Sequence, residues 1–143
     1  MSLFDTPGHL IRRLNQHSTA VFGQRTQEAG FDLTPVQFAA LDTIHKHPGS
    51  DQAFIAEMIG YDRATIGGVI DRMVKKGWVR RVVSEQDRRA RELSLTAKGN
   101  NIRSLLDPIV EDLQNEILTP LSHGEKESLV KLIRKVVIPT DTK

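Results

Sequence analysis

Residues 84–99 read SEQDRRARELSLTAKG. Three arginines, Arg88, Arg89 and Arg91, fall within four positions, and an alternating Leu93-Ser94-Leu95 follows at once. An arginine-rich loop standing alone is a solvated surface, so its meaning depends on its neighbours in the chain. Upstream, residues 78–83 (WVRRVV) are rich in strand formers. Leu93-Ser94-Leu95 alternates as a strand with one buried face does. The spacing predicts a β-hairpin over 78–95 with a long basic tip.

Two short helices are expected before that hairpin. Ser50 caps the first, which holds Phe54, Ile55, Met58 and Ile59 and is closed by Gly60. Asp62 caps the second, where Ile66, Ile70, Met73 and Val74 face inward and Gly77 is the terminator. About three residues separate them, the layout of a helix-turn-helix. Helix-turn-helix, strand, basic turn and strand in that order make a winged helix. In that setting the arginine tip reads as a wing aimed at a polyanion.

The flanks are helical. Leu10, Ile11, Leu14, Val21 and Phe22 recur at helical spacing from His9 to about Glu28, and Gly30 supplies a stop. Thr34-Pro35-Val36-Gln37 combines a cap, a proline suited to the first helical position and a capping-box glutamine. That helix carries Phe38, Leu41 and Ile44 and ends at His47-Pro48-Gly49. From Thr96 an apolar stripe runs through Ile102, Leu105, Leu106, Ile109, Val110, Leu113, Ile117 and Leu118, with Pro108 expected to kink or loosen it. Ser122-His123-Gly124-Glu125 is a second capping box. It starts a helix with Leu129, Leu132, Ile133, Val136 and Val137, ended by Pro139. The fold class expected is mainly α with a small β-hairpin wing (α+β).

Composition narrows the functions. The chain has 143 residues, 38% of them apolar, and no cysteine. One domain with a real core is expected, without disulfides, thiolate zinc sites or cysteine redox sensing. No apolar run approaches the ~18 residues of a membrane span, and the start lacks a secretory leader, so a cytoplasmic protein with no membrane partner is expected. The net charge of +2 is segregated. Residues 1–60 carry four Lys/Arg against six Asp/Glu, residues 61–103 eleven against five, and residues 104–143 five against seven. A basic middle between acidic ends suits a polyanion-binding lobe on a scaffold with other duties. No nucleophile elbow, glycine-rich phosphate loop or paired-histidine metal site is present, so no enzyme, metal or cofactor is expected. RNA binding would call for stacking aromatics on the basic surface, which offers only Tyr61 and Trp78. Duplex DNA is the better partner.

A major groove ~12 Å wide admits one helix with a buried and a polar face. Residues 62–76 have that form, with Arg63, Thr65, Gly67, Gly68, Arg72 and Lys75 outward. Arg63 and Thr65, in the first turns, are placed for base edges, and Arg72 and Lys75 for phosphate. The two glycines cost ~1 kcal/mol each against alanine. Either DNA comes close there or another helix does. On the wing, Arg88, Arg89 and Arg91 are the candidates, with Asp87 tethering one arginine while another, Arg89 by preference, enters the minor groove.

The wing also carries a family pattern. Asp87-Arg88-Arg89, five residues and then Leu95-Thr96-Ala97-Lys98-Gly99 resembles the D-x-R-x5-L-T-x-x-G signature of the MarR family of transcriptional regulators. Residues 33–38, 55–60 and 71–80 resemble further stretches of that family, and the likeness runs over 9–138. It implies a winged helix-turn-helix with N- and C-terminal dimerisation helices: one domain over 1–143, a DNA-binding lobe over 34–98, and dimerisation helices over 6–30 and 99–139. It also implies a homodimer on a pseudo-palindromic operator, acting as a repressor. Release by a small aromatic carboxylate or phenol bound between the dimer helices and the lobe is implied too, the alternative being a constitutive DNA binder without effector. His9, Arg13 and His17 recur at helical spacing near where Phe38 would pack, a suitable set for an anionic aromatic ligand. Equally, His17 could be a satisfied core histidine and Arg13 a dimer salt bridge. His45 and His47 make only a weak metal pair.

Overall fold

The computed structural model describes residues 1–86 and 91–138. A single 3-10 turn, Leu3–Asp5, leads into α1 (Pro7–Glu28), α2 (Pro35–Lys46), α3 (Gln52–Ile59) and α4 (Arg63–Lys75). The hairpin β1 (Val79–Val83) and β2 (Arg91–Leu95) follows, then α5 (Ala97–Ile117) and α6 (His123–Val137). The strands are antiparallel, with Val79 opposite Leu95 and Val83 opposite Arg91. The expected mainly α fold with a small wing is the fold found.

Local chemistry sets most of the boundaries. Thr34 and Gln37 exchange side-chain and backbone hydrogen bonds at the start of α2 (3.1 and 3.0 Å). Ser122 and Glu125 do the same for α6 (3.2 and 2.9 Å). There the backbone N–H of Ser122 holds the Glu125 carboxyl below the usual carboxylate range. Gly30, Gly60 and Gly77 close their helices at positive φ, a region side chains resist. Through Pro108, α5 stays helical. The carbonyl deprived of its partner belongs to Ser104, on an exposed face that water can reach.

The cap of α3 is Asp51, whose carboxylate accepts from Phe54 N (2.8 Å), and not the expected Ser50. Ser50 is committed elsewhere. Its hydroxyl donates to the His47 carbonyl, and its own carbonyl accepts from Leu93 N (2.9 Å) on β2. Gly49 N completes the exchange with the Leu93 carbonyl. The 47–50 turn is thus stitched to the wing strand, and the helix begins one residue later.

The core lies in the lobe built by α2, α3, α4 and the hairpin. Leu41, Ile44, Ile55, Ile70, Met73 and Leu93 are fully buried there. Trp78 is buried at the start of β1, with the Lys76 ammonium 4.5 Å from its ring centre. Val69 is buried as well, outside the expected stripe, because α4 packs against neighbours on two sides. From α1 only Val21, Phe22 and Thr26 reach the core, and from α5 Gly99, Leu106 and Leu113. Arg25 joins those two long helices by forking to Asp112 (2.6 Å) and Glu116, which together hold its pKa above the ordinary value. In α6 no residue is buried. Among the described residues no helix is long and apolar enough to cross a membrane.

Candidate nucleic-acid interface

The second helix of the helix-turn-helix, α4, starts three residues after α3 ends. Asp62 caps it by accepting from Ala64 N (3.0 Å). Ile66, Val69, Ile70 and Met73 bury one face. The other presents Arg63, Thr65, Gly68, Arg72 and Lys75 to solvent. Arg63, Arg72 and Lys75 form no ion pair among the described residues, which leaves their charge available to a polyanion.

Gly67 is half-buried rather than outward, because Gln52 of α3 lies over it. A Cβ at Gly67 would meet the Gln52 amide nitrogen at 3.6 Å, and one at Gly68 would meet only Arg72 at 4.0 Å. Both are ordinary contacts, so helix packing does not require either glycine. Gly67→Ala and Gly68→Ala should each raise stability by about 0.5–1 kcal/mol through helix propensity. If DNA approaches this face, Gly68→Ala should also weaken binding of a specific duplex. Thermal melts and binding titrations on the same variants separate the two effects.

Of the wing arginines, Arg91 is exposed at the start of β2. Arg88, Arg89 and Asp87, expected to tether one of the wing arginines, lie outside the described residues. The other half of the wing signature proves to be a joint. The Thr96 hydroxyl accepts from Gly99 N (3.0 Å), capping α5, and donates to the Gly77 carbonyl (2.5 Å). Thr96 N donates to the Trp78 carbonyl (3.0 Å). Gly99 is buried against that same carbonyl, and a Cβ there would lie 2.0 Å from the oxygen. Threonine and glycine at these positions seat α5 on the base of the wing.

The effector candidates are spread along α1. Arg13 lies over the Phe4 ring (5.3 Å to its centre), which His9 meets edge-on at 5.5 Å. His9 Nδ1 accepts from Arg12 (2.6 Å). One turn beyond Arg13, His17 Nε2 donates to the Ile117 carbonyl at the end of α5 (3.0 Å). Phe38 instead packs against Phe22 (ring centres 6.5 Å apart), roughly 20 Å along α1 from His9 at 1.5 Å per residue. Within one protomer Phe38 therefore does not join His9 and Arg13. Phe4 does, and the sequence pattern gives no hint of it, since a lone aromatic before a helix carries no periodic signal. His45 donates to the Asn100 side chain (3.2 Å) and His47 packs on Phe54. Among the described residues no group of three His, Asp or Glu could hold a metal ion.

A capped recognition helix whose cations form no ion pair among the described residues, and beside it a strand pair rising from the same core, make a winged helix-turn-helix, the fold of DNA-binding transcriptional regulators. Residues 33–90 match the MarR family, and the chain belongs to it. Over 137 residues it is 35% identical to the transcriptional regulator HosA of Escherichia coli O157:H7, covering 96% of this chain and 98% of that protein. The PcaV transcriptional regulator of Streptomyces coelicolor, solved in complex with its natural ligand, superposes with a TM-score of 0.86 at 32% identity, over 95% of this chain and 94% of that one. A mutant MarR of E. coli, complexed with operator DNA, superposes with a TM-score of 0.81 at 27% identity, over 91% and 92%.

Proposed function

We propose that the chain is a homodimeric repressor that holds a pseudo-palindromic operator and releases it when a small aromatic carboxylate or phenol binds. The observation that carries this reading is the basic face of α4, exposed and without an ion pair at Arg63, Arg72 or Lys75 among the described residues; on it Arg63 and Thr65 would face base edges, Arg72 and Lys75 phosphate, and Gly68, unlike the covered Gly67, would admit close approach. Arg88, Arg89 and Arg91 on the wing would add backbone and minor-groove contacts. In this reading residues 34–98 form the DNA-binding lobe of a single domain, and 6–30 and 99–139 are its dimerisation segments. Support for the dimer comes from the apolar side chains left exposed at Leu10, Ile11, Leu132, Ile133 and Val136. Ile11, Leu14, Leu132 and Val136 line an apolar cleft of about 370 Å³ between α1 and α6, a surface a second copy would cover.

The effector half rests on Arg13 and His17, one turn apart on α1, with His9 and Phe4 beside Arg13. A guanidinium fork and imidazoles next to an aromatic ring suit an anionic aromatic ligand. The relative PcaV was solved with its natural ligand. Phe38 would take part only from a distance, as a wall.

A panel of hydroxybenzoic acids tests this reading. A ligand at a hundredfold over its Kd stabilises the native state by about 2.7 kcal/mol, and so raises the melting temperature by several degrees. The same compound should release a duplex selected by the protein from a randomised pool. Arg13→Ala should abolish both responses and leave DNA binding intact. If no compound shifts the melt or releases DNA, the effector half of this reading fails and the DNA-binding half stands.

A further inference from the structure

We infer that Arg81 is a positioning residue for DNA recognition, locking the wing to the recognition helix through Asp71 and Gln52. Its guanidinium lies 2.7 Å from the Asp71 carboxylate of α4 and donates to the Gln52 side-chain carbonyl of α3 at 2.9 Å. Three elements of the lobe therefore meet on one side chain. Gln52 also reaches the recognition helix directly, since its amide nitrogen is the atom lying over Gly67. Arg81 is mid-strand, opposite Leu93, and Leu93 is the residue stitched to the 47–50 turn. On one side of the hairpin a backbone exchange fixes the wing. On the other, one guanidinium nitrogen of Arg81, shared by Asp71 and Gln52, does so.

Geometry makes that second anchor consequential. The chain below Arg81 is already held by Gly77 and Trp78 at the end of α4, but the hairpin runs on past it through Val83 to Gln86. At fully extended spacing that reach is at most roughly 15 Å, so a tilt of about 10° at Arg81 would move the far end by up to roughly 3 Å. That displacement is as long as a hydrogen bond. A wing and a recognition helix that must enter adjacent grooves together need their separation set more tightly. The Asp71 side chain keeps about half its exposure and Arg81 about a quarter. The pair thus lies at the surface of the lobe and not within the core that holds the fold.

The inference rests on the DNA-binding reading above, and one substitution separates it from plain electrostatics. Asp71→Asn removes a negative charge from the basic lobe, so charge alone would tighten binding to any duplex. Positioning predicts the opposite for a specific site. In titrations against a duplex selected by the wild-type protein, Asp71→Asn should weaken binding about 3–10-fold, while a random duplex of equal length binds as tightly as before or more tightly. Gln52→Ala, which leaves the charge unchanged, should weaken the selected duplex in the same way, and Asp71→Glu should restore most of the loss. Tighter or unchanged binding of the selected duplex by both Asp71→Asn and Gln52→Ala overturns the inference. So does an Arg81→Ala variant whose log–log salt slope falls by about one unit, because Arg81 would then be a phosphate contact in its own right. If the wild-type protein itself does not prefer the selected duplex, the DNA-binding reading fails, independently of the clamp.

Discussion

Gly99→Ala should destabilise the protein by about 3 kcal/mol or more, enough to remove much of a typical domain's stability. The added methyl would lie 2.0 Å from the Trp78 carbonyl oxygen, 2.9 Å from its carbon and 3.2 Å from its Cα. All three are backbone atoms, so no rotamer change relieves the contact. Either α5 lifts off the wing or the Trp78 peptide moves. Either movement strains the Thr96 hydrogen bonds to the Trp78 and Gly77 carbonyls. Helix propensity pushes the other way, since alanine is about 1 kcal/mol better than glycine in a helix. The sign is therefore diagnostic: the same substitution should stabilise at Gly67 and Gly68 and destabilise at Gly99. Chemical denaturation of the three variants checks it. A Gly99→Ala protein as stable as wild type would mean that the joint between α5 and the wing yields at little cost.

The second large effect concerns α6. Leu132→Asp with Val136→Asp should convert a dimer to monomers, raising the dissociation constant at least roughly 100-fold, because an unpaired carboxylate buried in an interface costs several kcal/mol. In a monomer those side chains are 60% and 81% exposed. Charge there would then change stability by no more than about 0.5 kcal/mol. Sedimentation of the double variant distinguishes the two cases. DNA affinity should fall along with dimerisation, because one protomer grips one half-site.

The capping signals make the helical plan readable in the chain. Thr34 with Gln37, Ser122 with Glu125, and Asp62 all act locally, within three residues. Residues answering to distant partners are less legible. Ser50 and Asp51 are equally good caps by type, and the bonds that commit Ser50 to His47 and Leu93 decide between them. The roles of Gly99 and Arg81 depend on Trp78, Asp71 and Gln52, neighbours that only the folded chain supplies. Phe38 does not reach the polar end of α1, because a stripe of His9, Arg13 and His17 fixes a face and not a height along the helix. The apolar residues of α6 are visible in the sequence as a surface needing cover. No other element of the chain buries them among the described residues.

Everything proposed for this chain depends on sequence-specific duplex recognition by the lobe. Equilibrium binding of the wild-type protein to a selected duplex and to a random one, at fixed salt, tests it. A preference of at least about 1,000-fold for the selected site is expected, bound by two protomers, with affinity falling steeply as salt rises. Equal affinity for the two duplexes would contradict it.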